Sequence, residues 1–186
     1  MRAAKVAALV VMCAAFSIPN CARAQEQGRD QSQRVAHAED SVNREVRHQL
    51  VMLPRYSVFD ILQYSVNGGH VTLKGAVTTP TLKSDAEAAV KGVEGVESID
   101  NQIEVLPLSP DDNQIRRAVY RAIYSQPTLQ IYAEGAVQPI HIIVKNGNVT
   151  LEGAVANKTD KDVATIQAKS VPNVFSVTND LTVGNA

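Results

Sequence analysis

Apolar side chains recur along this chain at two periods, and the switches between them outline its elements. Val42, Val46 and Leu50 return every fourth residue, which predicts an amphipathic helix over Ser41–Val51, closed by Pro54. Leu62, Tyr64 and Val66 alternate with polar neighbours, as in a half-buried strand over residues 61–66. After the turn Asn67-Gly68-Gly69, Val71 and Leu73 carry the alternation into a returning strand. Pro80 suits a first helical turn, the Ala- and Glu-rich run Leu82–Lys91 follows, and Gly92 is expected to close that helix as a left-handed cap. A last strand over Val96–Val105 places Ile99, Ile103 and Val105 inward.

The same order then repeats. His70–Val77 (HVTLKGAV) falls on Asn148–Val155 (NVTLEGAV), and Val93–Val105 (VEGVESIDNQIEV) on Val171–Val183 (VPNVFSVTNDLTV), both 78 positions on. One interval at both ends of a long segment marks a duplicated module. Ser109-Pro110-Asp111-Asp112 supplies a capping residue, a proline at the first helical position and acids for the helix dipole. Ile115, Val119, Ala122 and Ile123 form the apolar face of that helix and match the first helix at an interval of 73, so five extra residues fall in the lengthened loop Gln126–Pro139. Ile140, Ile142 and Val144 repeat the first strand, Asn146-Gly147 the turn, Asp160–Lys169 the second helix and Val174–Val183 the last strand. The expected fold is α+β: two α-β-β-α-β modules over residues 40–106 and 110–184, each a small three-stranded mixed sheet covered on one face by two helices.

Both copies resemble the BON domain, in the tandem arrangement of the OsmY family of osmotically inducible periplasmic proteins. The residues that carry the resemblance are Val71, Leu73, Gly75, Val77, Ala86, Gly92, Val93, Val96, Asn101, Ile103 and Val105 in the first copy. In the second they are Val149, Leu151, Gly153, Val155, Ala164, Val171, Val174, Asn179, Leu181 and Val183. The second copy departs at Ser170, where the helix-closing glycine is expected, with Pro172-Asn173 beside it. The resemblance implies association with phospholipid or the cell envelope, in some members a chaperone-like stress role, and no catalytic centre.

Residues 1–24 read as a secretory signal. Arg2 and Lys5 precede the apolar run Val6–Phe16, which is too short for a spanning helix, and Ala22-Arg23-Ala24 supplies a cleavage site. Cys13 and Cys21 both precede that cut, so the exported protein would hold no thiol. Lipid attachment at Cys21 is disfavoured by Pro19-Asn20 before it. Residues 25–39 form a polar leader expected to be disordered. Removing Arg2, Lys5 and Arg23 from 18 basic residues leaves 15 against 19 acidic ones, a net charge of −4 that argues against nucleic acid as a partner.

Candidate chemistry is sparse. Gly75 and Gly153 follow strands and are expected to need positive φ or close backbone approach; Asn101 and Asn179, in phase with apolar residues, to bond the adjoining turn and set the strand register. His37, His48, His70 and His141 have no metal-ligand spacing and are expected at the surface, so no metal or cofactor is called for. No nucleophile, base and oxyanion donors converge, which argues against an enzyme. The remaining candidate is the first helix of the second module. Arg117, Tyr120, Arg121 and Tyr124 are expected to project outward with Arg116 at the flank, a stacking and forked-donor surface suited to lipid headgroups or a protein partner, extended by Leu129, Ile131 and Tyr132. The alternative is that this face packs on the first module. The expected function is then an exported, non-catalytic envelope protein that binds anionic phospholipid peripherally. The alternative function is a soluble periplasmic stress factor contacting protein clients.

Overall fold

The computed structural model describes His37, residues 39–135 and residues 137–184. The expected signal peptide lies outside the described residues, as does the leader apart from His37 and Glu39. The first module runs α1 (39–51), β1 (Ile61–Asn67), β2 (His70–Val77), α2 (Pro80–Lys91), β3 (Ser98–Asn101) and β4 (Glu104–Val105). The second runs α3 (Pro110–Tyr124), a 3-10 turn (Gln130–Ala133), β5 (Ile140–Lys145), β6 (Asn148–Val155), α4 (Lys158–Lys169) and β7 (Ser176–Val183). This is the α+β arrangement of two α-β-β-α-β modules.

In each sheet the middle strand is the V-T-L-x-G strand, antiparallel to the strand before it and parallel to the last one. The turns joining β1 to β2 and β5 to β6 need two successive positive φ values, which Gly68 and Gly69 (54° and 83°) and Asn146 and Gly147 (52° and 76°) provide. One face of β2 carries Val71, Leu73 and Val77, which pack with Val42, Val46 and Leu50 of α1 and Leu82, Ala86 and Val90 of α2. The second core repeats this with Val149, Leu151, Val155, Ile115, Val119, Ile123, Ala164 and Ala168. The period-four and period-two patterns converge because each stripe has one apolar face to bury.

Two local expectations are corrected. Gly92 closes α2 in the right-handed region (φ −79°), as Ser170 closes α4 (φ −76°), so a serine costs nothing at that position. The left-handed residues of these loops stand three positions later, at Gly95 (φ 91°) and Asn173 (φ 67°). The last strand of the first module is also interrupted at Gln102-Ile103, whereas β7 is continuous.

The modules dock on each other, beyond what the pattern within each could reveal. The amide of Ile142 on β5 donates to the carbonyl of Val58, in the loop before β1, at 2.8 Å. Val58 is itself buried in the second core. Ile61, Leu106 and Ile143 form a small apolar cluster between the modules, with Ala76 against it. Every residue of β5 except Lys145 is therefore buried, rather than alternating as a strand with one wet face would.

Candidate lipid- and partner-binding face

α3 begins where its sequence directs: Ser109 Oγ accepts from the amide of Asp112 at 3.2 Å, with Pro110 in the first turn. Asp112 is buried, and its carboxylate accepts from the amides of Asn146 (2.9 Å) and Gly147 (2.8 Å). It thus fastens the β5–β6 turn as well as starting the helix. Burial of Ile115, Val119 and Ile123 then decides which side of α3 meets water.

The five candidate residues divide into two exposed, two buried and one intermediate. Arg117 and Arg121 are exposed, their Nε atoms donating to the carbonyls of Asn113 and Arg117 one turn back, both at 3.2 Å. Among the described residues neither meets a carboxylate. Arg116 and Tyr124, expected outward or at the flank, are instead buried. The Arg116 guanidinium donates to Asn113 Oδ1 (2.6 Å) and to the carbonyl of Val144 (2.7 Å), which ties α3 to β5. Burial pulls its pKa down from the ordinary arginine value, opposed by the nearby charges of Asp112 and Asp60. Tyr124 donates its hydroxyl to the carbonyl of Ile140 at 3.1 Å, and burial, with Tyr120 beside it, raises its pKa.

Tyr120 lies between the two groups. Its half-buried ring makes a tilted contact with Tyr124 (centroids 4.7 Å apart, planes at 50°) and an edge contact with Phe59 from the first module at 6.1 Å. The helix is therefore covered by the first module along its Tyr120 flank and open along Gln114, Arg117 and Arg121.

The lengthened loop does not extend this surface as expected, except at Ile131. Leu129 is fully buried, and Tyr132 donates to Asp160 Oδ2 at 2.6 Å while accepting from the amide of Ala156 at 2.9 Å. In the first module the corresponding amide, Thr78, donates to Asp60 Oδ1 at 2.6 Å. The extra residues supply a tyrosine where the shorter loop supplies an aspartate.

Asp60 and His141 were not anticipated as buried polar groups. Asp60 is fully enclosed and accepts four hydrogen bonds, from the amides and hydroxyls of Ser57 and Thr78. His141, expected at the surface, is buried at the junction between the modules with Nε2 3.5 Å from Tyr56 Oη; among the described residues no group is well aligned for a hydrogen bond at Nδ1, although the carbonyls of Asp60 and Ser57 lie close enough to act on the ring. Desolvation lowers its pKa, opposed by the carbonyls of Asp60 and Ser57 and by the Asp60 charge. A remote loop, Tyr56 to Asp60, creates both environments, so no local pattern announces them.

Gly75 and Gly153 lie within β2 and β6 rather than after them, at φ values of 120° and 122°. A Cβ there would stand 2.1 Å from the carbonyl oxygen of Ile61 and 1.9 Å from that of Pro139. Asn101 and Asn179 bond the neighbouring helix rather than a turn, donating to the carbonyls of Lys83 (3.2 Å) and Lys161 (2.9 Å).

Between the modules lies a cleft of about 520 Å³ lined by Gln63, Glu104, Lys145, Thr150 and Glu152, among others. Lys145 pairs with Glu104, and Gln63 donates to Glu152 at 2.9 Å, so its charged groups bridge the modules. Burial, with Asp180 alongside, raises the pKa of Glu152. Among the described residues no group of three or more His, Cys, Asp or Glu is placed to hold a metal ion, and no helix is long and apolar enough to cross a membrane.

Residues 38–107 and 111–185 each match the BON domain, and the chain belongs to that family. It is similar to the osmotically inducible protein Y of Escherichia coli, with 33% identity over 113 residues, 60% of this chain and 56% of that protein. The match therefore spans little more than half the relative's length. Among solved structures it is similar to CdsD, a structural protein of the type III secretion system of Chlamydia trachomatis. That alignment has 13% identity and a TM-score of 0.31, and covers 78% of this chain and 93% of the other.

Proposed function

We propose that this is a non-catalytic, exported envelope protein that attaches peripherally to anionic phospholipid through α3 of the second module. The observation that carries the reading is the pair Arg117 and Arg121, exposed one turn apart without a carboxylate partner among the described residues, while Arg116 and Tyr124 are held inside. Forked guanidinium donors suit phosphate oxygens, and each basic group near an anionic surface contributes about 1 kcal/mol. Similarity to an osmotically inducible protein supports service in the envelope under osmotic stress.

Flotation with phosphatidylcholine vesicles, with and without phosphatidylserine, tests the reading. Binding is expected only with the anionic lipid, falling as salt rises. Equal recovery from both vesicles, unchanged in Arg117→Glu/Arg121→Glu, would refute it. A second reading, contact with unfolded protein clients, draws on the exposed apolar side chains Met52, Leu108, Ile131 and Ile166. It predicts suppression of client aggregation without vesicles.

A further inference from the structure

The duplication lets one module serve as the reference for the other, and one equivalent seat is filled in opposite ways. In the first module the amide of Glu97 donates to the carbonyl of Gly69 at 2.8 Å, and its side chain lies over that glycine. In the second the amide of Phe175 donates to the carbonyl of Gly147 at 2.9 Å, and its ring lies where a Cβ on Gly147 would stand 2.5 Å from it. Phe175 as a residue is nevertheless 81% exposed. It is thus held from beneath and presented to water, at a hydrophobic cost that the polar residue of the first module does not incur.

Its surroundings share the change. The loop Gly92–Gly95 of the first module, with Ser41, Val42 and Glu45 opposite, lines a hollow in which Val42 and Val93 stand beside the carboxylates of Glu45 and Glu94. The matching hollow of the second module, about 730 Å³, keeps the apolar pair as Ile115 and Val171 but has Ala118 and Pro172 in place of the two glutamates, with Phe175 beside them and Ser109, Asp111 and Asn173 among its polar lining. Gln114 borders both this hollow and the surface formed by Arg117, Tyr120 and Arg121. The hollow beside Phe175 and the surface carrying the two guanidinium groups therefore adjoin at Gln114. Asp111 on the rim of the hollow is the opposing charge, while Asp112 is engaged with the hairpin amides.

We infer that Phe175 is the membrane-inserting anchor of the second module, its ring entering the acyl boundary of an anionic bilayer while Arg117 and Arg121 meet the phosphates. The inference rests on the lipid reading above and adds an apolar, salt-insensitive component to it.

The chain contains no tryptophan, so the F175W variant carries a single indole at the proposed point of entry. With phosphatidylcholine–phosphatidylserine vesicles, its emission should shift to the blue and be quenched by brominated acyl chains; the E97W variant should show neither. Phe175→Glu, which installs the residue its counterpart already carries in this seat, should weaken vesicle binding about tenfold or more. Phe175→Leu should keep most of it. If Arg117→Glu/Arg121→Glu abolishes binding while Phe175→Glu leaves it unchanged and the F175W indole stays in water, the anchor is wrong and the lipid reading stands. If the wild-type protein binds neither vesicle, both are wrong.

Discussion

Asn179 and Lys161 hold each other's elements in place. The Asn179 amide donates to the carbonyl of Lys161 at 2.9 Å, and the Lys161 ammonium donates to the carbonyl of Leu181 at 2.7 Å. Asn179 Oδ1 also accepts from the amide of Leu181 at 3.0 Å. Asn101, Lys83 and Ile103 repeat the arrangement in the first module. Both backbone groups of Leu181 are therefore occupied by side chains on the last strand of its sheet, where an open edge would invite another chain.

Asn179→Ala should accordingly cost about 1–2 kcal/mol in urea unfolding, from two lost backbone bonds. The double variant Asn179→Ala/Lys161→Ala should also self-associate with rising concentration. Light scattering after size exclusion measures this, and a strictly monomeric double variant would deny the edge-blocking role.

Gly153→Ala should destabilise by more than about 3 kcal/mol, because its Cβ would meet the Pro139 carbonyl oxygen at 1.9 Å and its φ of 122° is strained for any other residue. Gly68→Ala meets no neighbouring atom within 4 Å and carries only its φ of 54°, so about 1 kcal/mol is expected. Equal losses by denaturant titration would count against the close approach as the cause.

Arg116 and Arg117 are adjacent in the chain and should separate stability from binding. Arg116→Ala leaves the Val144 carbonyl without its buried donor and should cost about 2 kcal/mol. Arg117→Ala should leave the melting temperature within about 1 °C and weaken binding to anionic vesicles. Parallel calorimetry and flotation measure both effects.

His141 should make the junction between the modules sensitive to acid. It faces Tyr56, Asp60 and the carbonyl of Ser57 from the loop before β1, and is paired in register with Glu152 on β6. Because burial depresses its folded pKa below the ordinary value of 6.5, the neutral form favours the folded state. That stability is fully present above 6.5 and is lost as pH falls through the lower folded value. Melting temperatures between about pH 5 and 8 should fall more steeply on the acid side for the wild type than for His141→Gln; parallel curves would remove His141 as the cause.

The duplicated strands and helices could be read from sequence because each rests on local periodicity. Val71 and Leu73, or Val42, Val46 and Leu50, need only know which of their own faces is apolar. Arg116, Tyr124 and His141 obey a different rule. Their burial depends on partners such as Val144, Ile140 and Tyr56, up to 85 positions away. Tyr132 shows the same limit: an extra loop segment reads as added surface until its hydroxyl is seen filling the place that Asp60 holds in the shorter loop. Phe175 stands where the first copy has Glu97, but that difference alone does not reveal its exposure, since a phenylalanine in a strand-entry loop ordinarily turns inward.

The bond from Ile142 to Val58 means that the second repeat unit borrows part of its sheet margin and core from the first. Split at residues 107–109, the carboxyl-terminal half would lose an apolar plug from its core and bare one margin of its sheet. Dissecting the protein at the point its own symmetry suggests would thus create stickiness foreign to the intact molecule.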